Sequence, residues 1–384
     1  MIMKAFYHSI VLLLFCVTVG GCVNRDIDMA EEYYKVDISD IETVSLSEIA
    51  TDIQIIELKA SSDIILGPID FIKSYDNYLV LQDFTSTQTI SVFSSDGEFV
   101  SQLNRRGRGP GEYLAVDCFA VDEKAEILYV YDRSFNVYRY SFPEMEFLNK
   151  YRVPGHYYSN IEVVEDRLLV VMEPNRQRLP VGGIAFLADD NTKPDYLGLP
   201  DGNMSLEMSM PHAFTKTEEG FLYASTGVHS GIYNIGSKGV KHLITIDFDK
   251  NNPSQEVMDM EEVDDFYEKL FASPFASFIN SVVMTKNKLA FNFMYDSGIL
   301  SQYLAVIDRN SSSVNVYSGI ELYPGYNRLS YVKGIYDNYY LTVLYPEQID
   351  SLLPDDGRDL QSWQKQLLEK RGSSGIILLA YKLV

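Results

Sequence analysis

Tryptophan and cysteine are almost missing from this chain, and basic residues are scarce beside acidic ones. Its 384 residues include one Trp, Trp363, and three Cys. Cys16 and Cys22 fall at the N-terminus, which leaves Cys118 alone in the body of the chain. A single thiol cannot close an internal disulfide, so no cross-link carries the fold. Cys118 lies in an apolar run, 114–121, and reads as a small core residue rather than a nucleophile. Lys and Arg number 32 against 54 Asp and Glu, a formal net charge of −22. Nucleic acid and anionic membrane surfaces are held by clustered cations, so this balance argues against both as partners.

Local chemical signatures are missing as well. Four histidines lie beyond the N-terminal segment, His156, His212, His229 and His242, and no two form a close ligand pair. Asp189-Asp190-Asn191 lacks the glycine and the spaced acids of a calcium loop. No nucleophile elbow occurs. Neither a metal nor a cofactor is expected.

What is present begins with an address. Lys4 precedes an apolar run from Ile10 to Val19, followed by Gly20-Gly21-Cys22. A basic start, a short apolar stretch and small residues at a cleavage point read as an export signal. The run is shorter than the ~20 residues of a spanning helix. Its end resembles the bacterial lipobox, which implies cleavage after residue 21 and acylation of Cys22. The chain would then touch the membrane only through lipid, each buried methylene adding about 0.8 kcal/mol. Residues 22–40, with Asp26, Asp28, Glu31 and Glu32, read as an acidic tether. Loss of the signal removes one charge, Lys4, so 31 bases face 54 acids, a net of −23.

Beyond residue 40 the chain repeats itself. A short β-rich run recurs six times: Tyr78–Leu81, Leu128–Tyr131, Leu168–Val171, Phe221–Ala224, Leu289–Asn292 and Tyr340–Val343. A turn of Asp, Asn, Glu, Lys or Gly precedes each, the mark of a hairpin from a preceding strand. Those inner strands are expected at Ile69–Lys73, Ala115–Val121, Asn160–Val164, Ala213–Lys216, Asn280–Met284 and Tyr331–Ile335. The spacing suits four-stranded propeller blades. The sixth unit lacks a fourth strand, and 52–58 alternates like one, so the N-terminal strand is expected to close the last blade. The fold expected is all-β, a six-bladed β-propeller over 41–384. Two insertions stand outside the repeat, Glu256–Phe271 with helix-like spacing and Pro346–Arg371, whose stretch Asp359–Arg371 is also helix-like.

The loops into each inner strand carry Pro and an aromatic, and they emerge on the same face as the loops after each second strand. Loops held by a rigid scaffold commonly carry function. The densest is Arg105-Arg106-Gly107-Arg108-Gly109-Pro110-Gly111-Glu112-Tyr113. Its arginines could hold a carboxylate, sulfate or phosphate bidentately, or pair with the chain's own acids. It lacks the Gly-Lys-Ser/Thr ending of a phosphate loop. The candidate ligand-binding residues on this face are Arg106, Arg108, Glu112, Tyr113, Asp132, Arg133, His156, Tyr157, His212, His229, Tyr295 and Tyr326.

The motif over 94–113, the lipobox and the Ile49–Leu58 strand together resemble the six-bladed β-propeller lipoproteins of Bacteroidota-type bacteria, related to NHL- and TolB-like propellers. The resemblance covers residues 40–384. It implies the fold and a place in the Gram-negative cell envelope, anchored by lipid to the outer membrane, and it implies no activity. Two functions stay open beside a purely structural one, a subunit of an envelope complex that uses its helical insertions. One is non-catalytic binding of a glycan, peptide or envelope protein at the loop face. The other is a lyase or hydrolase, with or without a metal, working at the channel mouth through acids such as Asp132 or Glu112.

Overall fold

The computed structural model describes residues 31–39, 41–153, 157–173, 183–187, 194–197, 212–224, 230–258, 265, 268–269, 272–295, 302–355 and 359–383. Strand Tyr78–Asp83 is buried from its second residue to its last, as a strand covered on both faces must be. Phe147–Arg152, at a sheet edge, exposes four of its six residues. Hydrogen bonding gathers the strands into five sheets.

Four sheets each contain one antiparallel run of four strands, in chain order. The first comprises Cys118–Asp122, Ile127–Asp132, Asn136–Ser141 and Phe147–Arg152. Next come Tyr157–Val164, Arg167–Glu173, Gly183–Leu187 and Asp195–Leu197, then Phe214–Thr217, Gly220–Ala224, Gly231–Gly236 and Gly239–Asp247. The fourth run is Ser277–Met284, Lys288–Met294, Gln302–Asp308 and Ser313–Glu321. The fifth sheet has eight strands. One half is Phe71–Tyr75, Tyr78–Asp83, Thr89–Ser94 and Phe99–Leu103. The other is Val332–Tyr336, Tyr339–Leu344, Ile376–Leu383 and Ala50–Leu58. A single parallel pair, Gly334 with Ile72, joins the halves. A Cβ at Gly334 would lie 2.5 Å from the Ile72 carbonyl oxygen, so only glycine lets the strands approach.

The first strand of every run falls on an expected inner strand, displaced by three residues or fewer at each end. Ala50–Leu58 pairs antiparallel with Ile376–Leu383, the pairing expected of the N-terminal strand. The core is divided among the seams between runs. One seam packs Tyr75, Val80 and Ile90 against Phe119, Leu128 and Tyr138. The molecule is all-β and propeller-like.

The expected tether is too long at its C-terminal end. Glu32–Lys35 is a strand parallel to Gly239–Asp247, and Glu42–Ser45 is one parallel to Ser313–Glu321. Tyr34, Val36 and Ile38 are buried beside Ile244, Ile246 and Phe248. The surrounding acids mask a plain alternation, in which Lys35 and Asp37 point outward while the apolar residues pack. The added strands cover two outer edges that would otherwise present unpaired backbone groups.

Of the first helix-like insertion, the structure describes Gln255–Met258 as a helix, and most of 259–271 lies outside the described residues. In the second, Ser362–Glu369 is helical and buries Trp363 and Leu367 against Tyr340, Leu344 and Ile377. That helix packs into the sheet core. No helix among the described residues is long and apolar enough to cross a membrane.

Candidate functional site

Two cavities open at opposite ends of the inner strands. The smaller, about 220 Å³, lies where those strands begin and the second strands end. Phe71, Asp117 and Tyr157–Ser159 line it from first strands or the residues just before them. Phe84 and Arg133 come from turns after second strands, and Lys333 from the last run.

Its polar groups are held firmly. One Asp70 carboxylate oxygen accepts from the Phe84 and Thr85 amides at 2.9 and 3.0 Å, which straps the Phe84 turn over the strand start. Arg133 Nε donates to Asp117 Oδ1 at 2.7 Å. Asp117 Oδ2 is buried with no hydrogen-bond partner among the described residues. Burial pushes the Asp117 carboxyl up, opposed by the Arg133 guanidinium. Burial pushes the Lys333 ammonium down, opposed by Asp70. That ammonium makes no hydrogen bond or ion pair among the described residues. Ser159 Oγ is buried and has no hydrogen-bond partner among the described residues.

Aromatic rings form the walls. Phe71 lies 5.7 Å from Phe84, Phe135 5.7 Å from Tyr157, and Tyr131 meets Tyr158 edge-on at 4.9 Å. Phe84 is 41% exposed, Leu114 45%, Tyr157 36% and Tyr331 39%. All four sit just before a first strand, on its opening residue, or just after a second strand, so exposed apolar surface gathers at this end.

The larger cavity, about 1100 Å³, lies at the other end, among the turns that follow the first strands. Four of its cations are paired: Lys73 with Glu162 at 2.8 Å, Lys241 with Glu31, Lys216 with Glu123 and Arg309 with Glu32. His212 lines this cavity and lies 5.6 Å from the Phe71 ring, which reaches the smaller one. Burial, reinforced by Lys73 and Lys333, pushes the His212 imidazole down to about 3, so it is neutral at physiological pH. Its Nε2 is buried without a partner among the described residues.

Of the residues expected on the loop face, the structure brings Arg133 and Tyr157 into the small pocket. His212 stands beneath it, buried rather than on the surface. Tyr113 and Asp132 are fully buried and brace loops instead. The Tyr113 hydroxyl donates to the Gln88 and Leu103 carbonyls at 2.7 and 3.2 Å, while Asp132 accepts from the Leu114 and Ser134 amides. Glu112 accepts from the Gly109 amide at 2.7 Å within its own loop. Arg106 and Arg108 are exposed and do not reach the pocket. Tyr295 donates to Asn251 at 3.3 Å, and Tyr326 packs edge-on against Tyr323, both away from the pocket. His156, His229 and Cys22 lie outside the described residues.

Sequence reasoning missed Asp70, Asp117, Ser159 and Lys333. For Lys333 a signal existed: a cation inside an inner strand, where apolar residues are the rule. Among the described residues no group of three or more His, Cys, Asp and Glu could hold a metal.

The fold has solved counterparts. A candidate exported protein from Bacteroides fragilis matches with a TM-score of 0.72 at 18% identity, covering 92% of this chain and 99% of its own. A member of the DUF4221 family from Bacteroides vulgatus matches at 0.50 and 9% identity, covering 88% of this chain and 98% of its own. The WD40 repeats of RRP9 follow at 0.44 and 10% identity, covering 89% of this chain and 100% of their own. At these identities the likeness is of fold alone. No curated protein matches the sequence. The family described as Domain of unknown function (DUF4934) matches residues 26–372, and the chain belongs to that family.

Proposed function

We propose that the chain is an exported lipoprotein of the Gram-negative cell envelope, a six-bladed, NHL-like propeller that binds a glycan, peptide or envelope protein at its small-pocket end. The observation that carries the binding reading is the coincidence, at one end, of exposed aromatics with polar groups that have no hydrogen-bond partner among the described residues. Buried polar groups are normally paired, and unpaired ones invite a ligand.

Six blades are supported by the eight-stranded sheet, whose two antiparallel halves share a single strand-paired residue pair. Counting each half as a blade gives six with the other four sheets, closed by Ala50–Leu58. Export is supported by the N-terminal signal and by the Bacteroides fragilis counterpart. The anchor would be acylated Cys22, and acyl labelling that survives Cys22→Ser would remove this part of the reading. Glu31 and Glu32 line the wide cavity, so the tether joins the molecule at that end. Nine residues from Cys22 to Glu31 reach at most about 30 Å. The small-pocket end is therefore turned away from the bilayer, towards soluble partners.

The test is a thermal-shift screen of the mature chain against glycans, peptides and envelope extracts. A ligand at a hundred times its Kd stabilises by about 2.7 kcal/mol. The shift should vanish in Phe84→Ala with Tyr157→Ala. A ligand whose shift is indifferent to both substitutions binds elsewhere and refutes the assignment.

A further inference from the structure

We infer, on the reading above that this end binds a ligand, that the small pocket takes one uncharged sugar ring, a terminal or branch unit of a glycan. Charge, bonding capacity and size each point there.

The pocket's formal charges already balance, with Asp70 and Asp117 against Arg133 and Lys333. An anionic ligand set on Lys333 would face both carboxylates. A cationic one set on Asp117 would face Lys333 and the Arg133 guanidinium. A ligand without net charge meets neither repulsion.

The bonding left open is of both kinds. Lys333 offers donors only, Asp117 Oδ2 accepts, and Ser159 Oγ can do either. An apolar ligand would leave all three dry and unmet. A sugar hydroxyl both donates and accepts, so neighbouring hydroxyls on one ring serve the carboxylate and the ammonium together. The apolar C–H face of the same ring has Phe84 and Tyr157 to lie against.

The cavity of about 220 Å³ falls below the ~300–1,000 Å³ of pockets that enclose drug-sized molecules, leaving room for a single ring. The mouth at Phe84 and Tyr157, both exposed, stays open for the remainder of a chain.

The experiment is calorimetric titration of the mature protein with glucose, galactose, mannose, fucose and N-acetylglucosamine and their short oligomers. Glucuronic and galacturonic acids, glucosamine and neutral tripeptides form the comparison set. At least one neutral sugar should bind, and its acidic or amino counterpart should bind more weakly. Lys333→Gln should lower affinity about tenfold or more, as loss of a charged hydrogen bond does. Phe84→Ala, at an exposed position, should do likewise without touching the fold, and Arg106→Ala should change nothing. Preference for a uronic acid, an amine or a peptide, lost in Phe84→Ala, would overturn the sugar and leave the binding end standing. Neutral-sugar binding indifferent to Lys333→Gln and Phe84→Ala would place the sugar elsewhere and overturn the inference. No binding by any compound at millimolar concentration would overturn it together with a small-ligand role for this end.

Discussion

Replacing Lys73 with methionine should be among the most damaging single changes in the molecule. The Lys73 ammonium donates to the Phe119 and Ile161 carbonyls at 2.8 and 2.7 Å and pairs with Glu162 Oε1 at 2.8 Å. Those atoms belong to strands Phe71–Tyr75, Cys118–Asp122 and Tyr157–Val164, so one cation ties three runs together. The two side chains are 15% and 7% exposed, and solvent screens the pair little. Methionine keeps the stem and removes the charge. Glu162 then retains the Tyr75 hydroxyl at 3.3 Å, and two carbonyls lose their donor. Breaking a buried pair from one side costs about 3–5 kcal/mol, because a charge is stranded. Glu162→Gln in the Lys73→Met background removes that charge and should restore part of the loss. The double-mutant cycle should give a coupling of about 2 kcal/mol. Guanidinium unfolding followed by far-UV circular dichroism and tyrosine fluorescence measures it, provided the two transitions coincide. A Lys73→Met cost below about 1 kcal/mol, or strict additivity in the cycle, would refute the reasoning.

Three further outcomes follow from the same packing. Tyr113→Phe should destabilise by about 1–3 kcal/mol by leaving buried carbonyls unmet, whereas Arg106→Ala and Arg108→Ala should stay within about 0.5; equal effects would return the arginines to a structural role. A chain starting at residue 41 should melt below one starting at 31, because it loses buried Tyr34, Val36 and Ile38 and bares the edge of Gly239–Asp247. Identical melting curves would show that this segment contributes nothing. His212 is held neutral, with its folded value near 3 against 6.5 for the free side chain, so below pH 6.5 the unfolded chain takes up a proton that the folded one refuses. Stability should therefore fall as pH drops from 6.5, by up to about 1.4 kcal/mol per unit. Asn tolerates the left-handed backbone at this position (φ 60°), and His212→Asn should lack that slope. Parallel pH curves for the two proteins would contradict the buried, neutral imidazole.

The strand pattern was legible because each unit repeats the same local physics. A polar turn and a β-branched or aromatic run recur with every hairpin, and six copies correct one another where a single copy would mislead. Cys118 was legible on the same grounds: it is buried, its thiol against the Tyr158 carbonyl at 3.5 Å. The N-terminal strands were not. Glu32–Lys35 has no turn partner and pairs parallel to a strand more than two hundred residues away, a contact that no local pattern announces. Acidic composition then favoured reading it as a tether, although Tyr34, Val36 and Ile38 alternate as a strand should.

The pocket was harder to foresee than the face that bears it, for a reason general to ring-like folds. Loops at one end follow from strand direction alone, so Arg133 and Tyr157 could be anticipated. Which residue of each loop turns inward depends on register between runs, and Asp70, Asp117, Ser159 and Lys333 come from four of them. The loop densest in charge lies outside the small pocket for the same reason. The segment from Arg105 to Tyr113 is rich in glycine, and a glycine-rich loop needs internal bonds to hold its shape. Glu112 accepts from the Gly109 amide and the Tyr113 hydroxyl from the Arg105 amide, with Gly111 at φ 71° against the Phe147 ring. Polar groups that satisfy one another locally are spent on folding. Those without a hydrogen-bond partner among the described residues, Asp117 Oδ2, Ser159 Oγ and the Lys333 ammonium, are the ones on which the proposed binding rests.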